Sequence, residues 1–298
     1  MKKNRLNAYK IFVMITFAGV IVFPSVAFNG ALSGLKLWAQ VVLPGLFPAM
    51  IITSCILCLF PMKAGLSYLY VCITGLLCGF PVGAFLCSQI HERKEENICE
   101  KLMAFCNMSS PSFVMNYIIL SNLGEDFGVI KILLCIYLPA IEGAAAILFI
   151  NRKDIVGEKI SKENPTTKRE DKIFPGITEM IDNSIWNAIQ SMLKLGGYIV
   201  VFSCLSAYIC MIPVKNPCIT AVICGITEIT NGIYLISHLN IDIFYKALLI
   251  LAVNAFGGLS TVMQTAGITK RSGLNIKKYI CFKLLLTVLT VIHCLIIL

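Results

Sequence analysis

The sequence predicts an all-α polytopic membrane protein. It consists of two inverted repeats, each with a re-entrant helical hairpin and a broken helix, preceded by one N-terminal transmembrane helix. Three observations predict this. The 298-residue chain is 57% hydrophobic and only 14% charged. Its apolar residues gather into stretches long enough to cross a bilayer. Its two halves resemble each other at a nearly constant offset.

Composition excludes the soluble classes. A soluble domain carries about 25% charged residues, so this chain has too little polar surface to cover a globule in water. Its mean hydropathy is +0.82. The net charge is +9, but the basic residues lie between apolar stretches rather than in one patch. That distribution reads as a topology signal and predicts no nucleic-acid partner. The fourteen cysteines stand mostly alone inside apolar runs, and the single C-x-x-C, Cys55 to Cys58, falls within one of them. Free cysteine behaves there as a small buried hydrophobe. His91, His238 and His293 are scattered, so no zinc site is expected. With no P-loop, metalloprotease or nucleophile-elbow motif, the chain is not expected to be an enzyme.

Apolar segments fall at 11–29, 36–60, 64–90, 98–120, 127–150, 183–211, 217–239, 243–267 and 278–298. A spanning helix needs about twenty residues. Residues 1–33 are read as a retained transmembrane helix, 34–150 as the first repeat, 151–182 as a cytoplasmic linker and 183–298 as the second repeat. The linker carries seven basic and seven acidic residues, with Pro165 and Pro175. If every segment crosses and the N-terminus lies inside, this linker falls outside, against the positive-inside rule. If 64–90 and 217–239 instead enter and leave on one side, 18 basic residues lie inside and four outside, with three inside segments. Charge thus predicts two re-entrant hairpins and seven crossings, N-terminus in and C-terminus out.

The repeat agrees. Trp38 and Trp186 are 148 apart. "IITSCIL" (51–57) matches "VVFSCLS" (200–206), "LLCGFPVGA" (76–84) matches "VICGITEIT" (222–230), and "KLMAFCNMSSPSFVM" (101–115) matches "ALLILAVNAFGGLSTVM" (247–263). Each repeat supplies three crossings, and an odd number inverts the second copy. Inverted repeats with broken helices are an architecture of secondary transporters, with the site near the midplane.

The breaks fall at "CGFPVGA" (78–84), "CNMSSPS" (106–112), "CGITEITNG" (224–232) and "NAFGGLS" (254–260). Glycine frees the backbone and proline removes a donor. Freed N–H and C=O groups at membrane depth need protein or a water-filled cavity, and half-helix ends can hold ions. The expected solute-binding residues are Gly79, Pro81, Asn107, Ser109, Ser110, Ser112, Thr227, Glu228, Thr230, Asn231, Asn254, Gly257, Gly258, Ser260 and Thr261. Glu228 is the sharpest of them: an acid inside a membrane segment is costly and marks a functional site. It can hydrogen-bond solute, hold a cation or carry a proton; alternatively it caps the hairpin tip. Lys194, beside Gly196 and Gly197, is read as a partner for an anionic group or for Glu228, or as a snorkelling side chain. Glu142 is a further candidate acid. Glu100 and Lys101 are expected to reach the interface.

The stretches "GLKLWAQVVLPGLFPAM" (34–50), "CGFPVGAFLCSQI" (78–90), "EKLMAFCNMSSPSFV" (100–114), "CGITEITNG" and "NAFGGLSTVMQTAG" (254–267) resemble the nucleoside-recognition (gate) domain family. Within it, they look most like sporulation integral membrane proteins implicated in dipicolinate transport. The resemblance covers nearly the whole chain after the first helix. The wider fold is similar to that of concentrative nucleoside transporters, whose hairpin tips carry a G-Q-T-E type motif like "GITE" (225–228). That resemblance implies solute or ion contacts from Thr227 and Glu228 at one tip and from Asn254, Gly257, Gly258 and Ser260 on the following broken helix. The first tip, "GFPVG", has no acid or amide. The expected function is secondary transport of a small polar or anionic solute, dipicolinate by this resemblance, during sporulation. Alternatives are a nucleoside or nucleobase transporter and a non-transporting membrane scaffold in spore maturation. The expected partners are the solute and the bilayer of a cell or forespore membrane. No cofactor is expected beyond a coupling ion, H+ or Na+, and a homo-oligomer is compatible with the sequence.

Overall fold

A computed structural model describes residues 14, 17–59, 64–94, 98–124, 126–152, 176–212, 214–270 and 272–298. The first thirteen residues and most of the linker, with Pro165 and Pro175, lie outside the described residues. The described residues are helices and short connections. In order they are α1 (Pro24–Leu37), α2 (Leu43–Leu59), α3 (Ala64–Cys78), α4 (Val82–Lys94), α5 (Ile98–Cys106), α6 (Pro111–Phe113) and α7 (Val129–Ile150). There follow α8 (Ile177–Met211), α9 (Pro217–Thr227), α10 (Ile229–Ser237), α11 (Ile243–Phe256), α12 (Gly258–Thr269) and α13 (Ile276–Ile297). A π-helical turn (Trp38–Val42) joins α1 to α2, and α6 continues as a π-helical stretch (Val114–Leu123).

Among the described residues, four helices are long and apolar enough to cross a bilayer, or five if a pair bent by 47° near residues 40–43 counts as one span. The two halves share an element order. Each has a pair of short helices joined at a tight tip (α3–α4, α9–α10), then an interrupted helix (α5–α6, α11–α12), then an unbroken one (α7, α13). Local chemistry starts and stops these elements. Asn216, Asp242 and Asn275 cap α9, α11 and α13 by accepting from the N–H groups of Cys218, Phe244 and Lys277, satisfying donors that the first turn leaves free.

Helix runs from Pro24 to Leu37, through the positions between the apolar segments 11–29 and 36–60. The glycines of "NGALSG" are contact points rather than breaks. A Cβ on Gly30 would lie 2.8 Å from the backbone of Cys204, and one on Gly34 would lie 2.9 Å from the Ser203 hydroxyl. Small residues let α1 lie close against α8, as is usual between membrane helices.

Polar contacts gather at the helix ends in two groups. In one, Glu100 at the start of α5 pairs with Lys278 and accepts from the N–H of Asn275, while Lys101 donates to Asn151 after α7. In the other, Ser237 at the end of α10 donates to Asn122, and Lys246 donates to the Ser237 carbonyl. Glu100 is buried there and ties α5 to the start of α13.

Candidate functional site

The two tips and the two interruptions meet. The first tip is Gly79-Phe80-Pro81, with Gly79 at φ +83° and a cis peptide before Pro81. It sits directly on the first interruption, where a Cβ on Gly79 would lie 2.5 Å from the backbone nitrogen of Ser110. The second tip is the single residue Glu228, extended between α9 and α10. The second interruption, Gly257-Gly258, has both residues at positive φ. A Cβ on Gly257 would approach the Phe80 ring at 3.1 Å, and one on Gly258 the Gly225 carbonyl at 3.2 Å. Each of these glycines therefore seats the interrupted helix on one hairpin.

A cavity of about 400 Å³ opens at this junction. All four breaks line it: Phe80 from the first tip, Ser109, Ser110 and Ser112 from the first interruption, Glu228 and Thr230 from the second tip, and Ser260 and Thr261 just beyond the second interruption. Phe113 and Tyr117, stacked at 5.1 Å between ring centres, add aromatic surface. Gln264, which the motif reading did not single out, adds an amide. Among the described residues of the lining, Glu228 is the only acidic or basic side chain.

Glu228 is buried, with one carboxylate oxygen accepting from the Thr230 hydroxyl and from the N–H of Asn231 at 2.9 Å. It therefore caps α10 with one oxygen, and the residue also lines the cavity.

Other expected site residues serve the frame. Asn107 is fully buried behind the lining. Its amide accepts from Ala84 N–H and donates to Thr265 at 3.1 Å and to the Tyr279 hydroxyl at 3.2 Å. Thr227 donates back to the Ile223 carbonyl at 2.8 Å. Ser109 donates to the Asn254 Oδ1 at 2.6 Å, joining the two interruptions, and Asn254 Nδ2 has no partner. Asn231 lines a second, smaller cavity of about 240 Å³ between α1, α8 and α10.

Two expected residues are not brought to the site. Lys194 is exposed on α8 and outside the cavity lining, because the neighbouring Leu195 and Gly196 take the inward face. Glu142 is half-exposed on α7, where it meets His293 of α13 at 3.3 Å, also outside the lining.

The expectation that freed backbone carbonyls serve as ligands also needs revision. The Ser109 carbonyl accepts from Tyr137, the Thr230 carbonyl from Tyr117, and the Asn107 and Ala255 carbonyls from Lys283. Buried carbonyls cost too much to leave bare, and side chains of this chain cover these four. The polar side chains that line the cavity carry hydroxyl, amide and carboxylate groups, beside aromatic rings and aliphatic side chains. Lys283 was visible in the sequence as a lysine inside the last apolar segment, and that position is the signal that marks it out.

Over 330 aligned positions the chain is 22% identical to the sporulation integral membrane protein YlbJ of Bacillus subtilis (strain 168). The match covers 95% of this chain and 80% of that protein. No family model and no solved structure matches the chain. With several apolar helices able to span a bilayer and this similarity over almost its whole length, the chain is an integral, multi-pass membrane protein.

Proposed function

We propose that the chain is a secondary transporter acting in sporulation, and that the cavity between the two hairpins and the two interrupted helices holds its solute. One observation carries this reading: four breaks, separated in sequence, line a single cavity. Packing alone needs small residues at contacts, but it does not need them to surround a space. The similarity to a sporulation protein supports the cellular setting.

The cargo favoured is dipicolinate, a small aromatic dicarboxylate. Phe80, Phe113 and Tyr117 offer ring surfaces, and Ser110 and Ser260 offer hydroxyls. An ionised Glu228 would repel this cargo, so the reading requires a proton or another cation on Glu228 when the solute is bound. A second reading is favoured by the same lining. Among the described residues it holds no lysine or arginine, which suits an uncharged ring compound such as a nucleoside. Thermal unfolding of the purified protein separates the two. A ligand at about 100 times its Kd stabilises by about 2.7 kcal/mol. Dipicolinate is expected to raise the midpoint saturably and uridine to leave it unchanged. The reverse result selects the nucleoside reading, and no shift with either removes both cargoes.

The topology belongs to the same proposal. The grouping of Glu100, Lys101, Asn151 and Lys278 at one end, and of Asn122, Ser237 and Lys246 at the other, supports two hairpins that each return to the side they entered. Reporter domains fused after Lys94 and after Leu298 are expected to read inside and outside respectively. An external signal after Lys94 contradicts a re-entrant first hairpin.

A further inference from the structure

Lys283 is a fully buried lysine at membrane depth, on α13. Its ammonium donates to the Asn107 carbonyl at 2.7 Å and to the Ala255 carbonyl at 3.4 Å, and it touches the Met108 sulfur at 3.2 Å. It lies 5.0 Å from the centre of the Phe80 ring and 5.9 Å from that of Tyr279. All of these partners are uncharged. The two carbonyls belong to the C-terminal ends of α5 and α11, the first halves of the two interrupted helices. Such ends carry partial negative charge and free carbonyls, and in membrane transporters they are places that coordinate cations.

We propose that Lys283 is a tethered cation that takes, at the meeting of the two half-helix ends, the place an exchangeable alkali cation would otherwise fill. Two helix C-termini converge at the fully buried Asn107 and Ala255, where an unpaired carbonyl is costly. A bare ammonium at the same depth would be costlier still. Each removes the other's penalty, and the faces of the Phe80 and Tyr279 rings add a cation–π contribution. Because Phe80 also lines the cavity, Lys283 stands behind the cavity wall, where its charged form favours an anionic solute without contacting it. Where transport is coupled, this assignment rests on the reading above and leaves Glu228 as the carboxylate available to a proton.

The cation site can be tested without any cargo, so the test stands or falls separately from the transport reading. Purified full-length protein is unfolded thermally in NaCl, KCl or methylammonium chloride, each against N-methyl-D-glucamine chloride at equal ionic strength. The wild type is expected to show one midpoint in all four. Lys283→Ala, which empties the space, is expected to unfold at lower temperature and to be restored saturably by methylammonium or Na+. Lys283→Met fills the space without charge and is expected to stay destabilised in every salt. Where Lys283→Ala does not accumulate, Lys283→Ser, which also leaves the space open, carries the same titration. A Lys283→Met protein with the wild-type midpoint, or a Lys283→Ala or Lys283→Ser protein that no cation restores, overturns the proposal.

Discussion

Gly232→Ala is expected to abolish the stable fold. The helices of the second hairpin cross at Gly225 and Gly232, and a Cβ on Gly232 would lie 2.0 Å from the Gly225 Cα. The obstacle is backbone, not the movable end of a side chain, so α9 and α10 must separate. Separation would in turn lift Gly225 off Gly258, whose own Cβ position lies 3.2 Å from the Gly225 carbonyl. Overpacking costs about 1–3 kcal/mol and sometimes more, and a backbone clash belongs at or above the upper end of that range. Gly197→Ala is the control. Nothing lies within 4 Å of its Cβ position in the middle of α8, and alanine gains roughly 0.5–1 kcal/mol over glycine in a helix interior. Size-exclusion profiles and unfolding midpoints of the two variants should diverge sharply. A monodisperse Gly232→Ala protein with the wild-type midpoint means that the hairpin does not cross here.

The second large effect separates the two roles of Glu228. Glu228→Gln keeps an amide oxygen that can accept from Asn231 N–H and the Thr230 hydroxyl, the two contacts seen for the carboxylate. Its midpoint should therefore stay close to wild type. Glu228→Ala loses the cap, which costs about 1 kcal/mol. Flux should respond differently. Gln cannot take up and release the proton or other cation that the dipicolinate reading places on Glu228, so Glu228→Gln is expected to lower flux by roughly tenfold or more, about 1.4 kcal/mol. A Gln variant with full stability and full flux reduces Glu228 to a cap.

Much of this arrangement is legible in the sequence because hydropathy and Gly/Pro placement fix position along a membrane helix. Glu228 and the breaks at Gly79, Asn107–Ser110 and Gly257 all fall where residue pattern places them. Rotation about the helix axis is another matter, since it is set by which neighbour packs where. That is why Lys194 points away while Leu195 and Gly196 point in, and why Glu142 meets His293 rather than the cavity. Glycine is ambiguous for a related reason. At Gly257 it permits a left-handed turn; at Gly30 and Gly34 it permits close approach within an unbroken helix. The role of Lys283 was hidden because its partners, Asn107 and Ala255, are distant in sequence and use only backbone oxygen.

The central claim is that the cavity at the four breaks is a transport site, and uptake by the wild-type protein tests it most directly. Folded, monodisperse protein is reconstituted into liposomes, and entry of labelled dipicolinate is compared with entry of labelled uridine and with protein-free vesicles. The account predicts saturable dipicolinate entry that unlabelled dipicolinate competes away. Vesicles that hold folded protein and take up neither compound above the protein-free control contradict it and favour a non-transporting membrane scaffold.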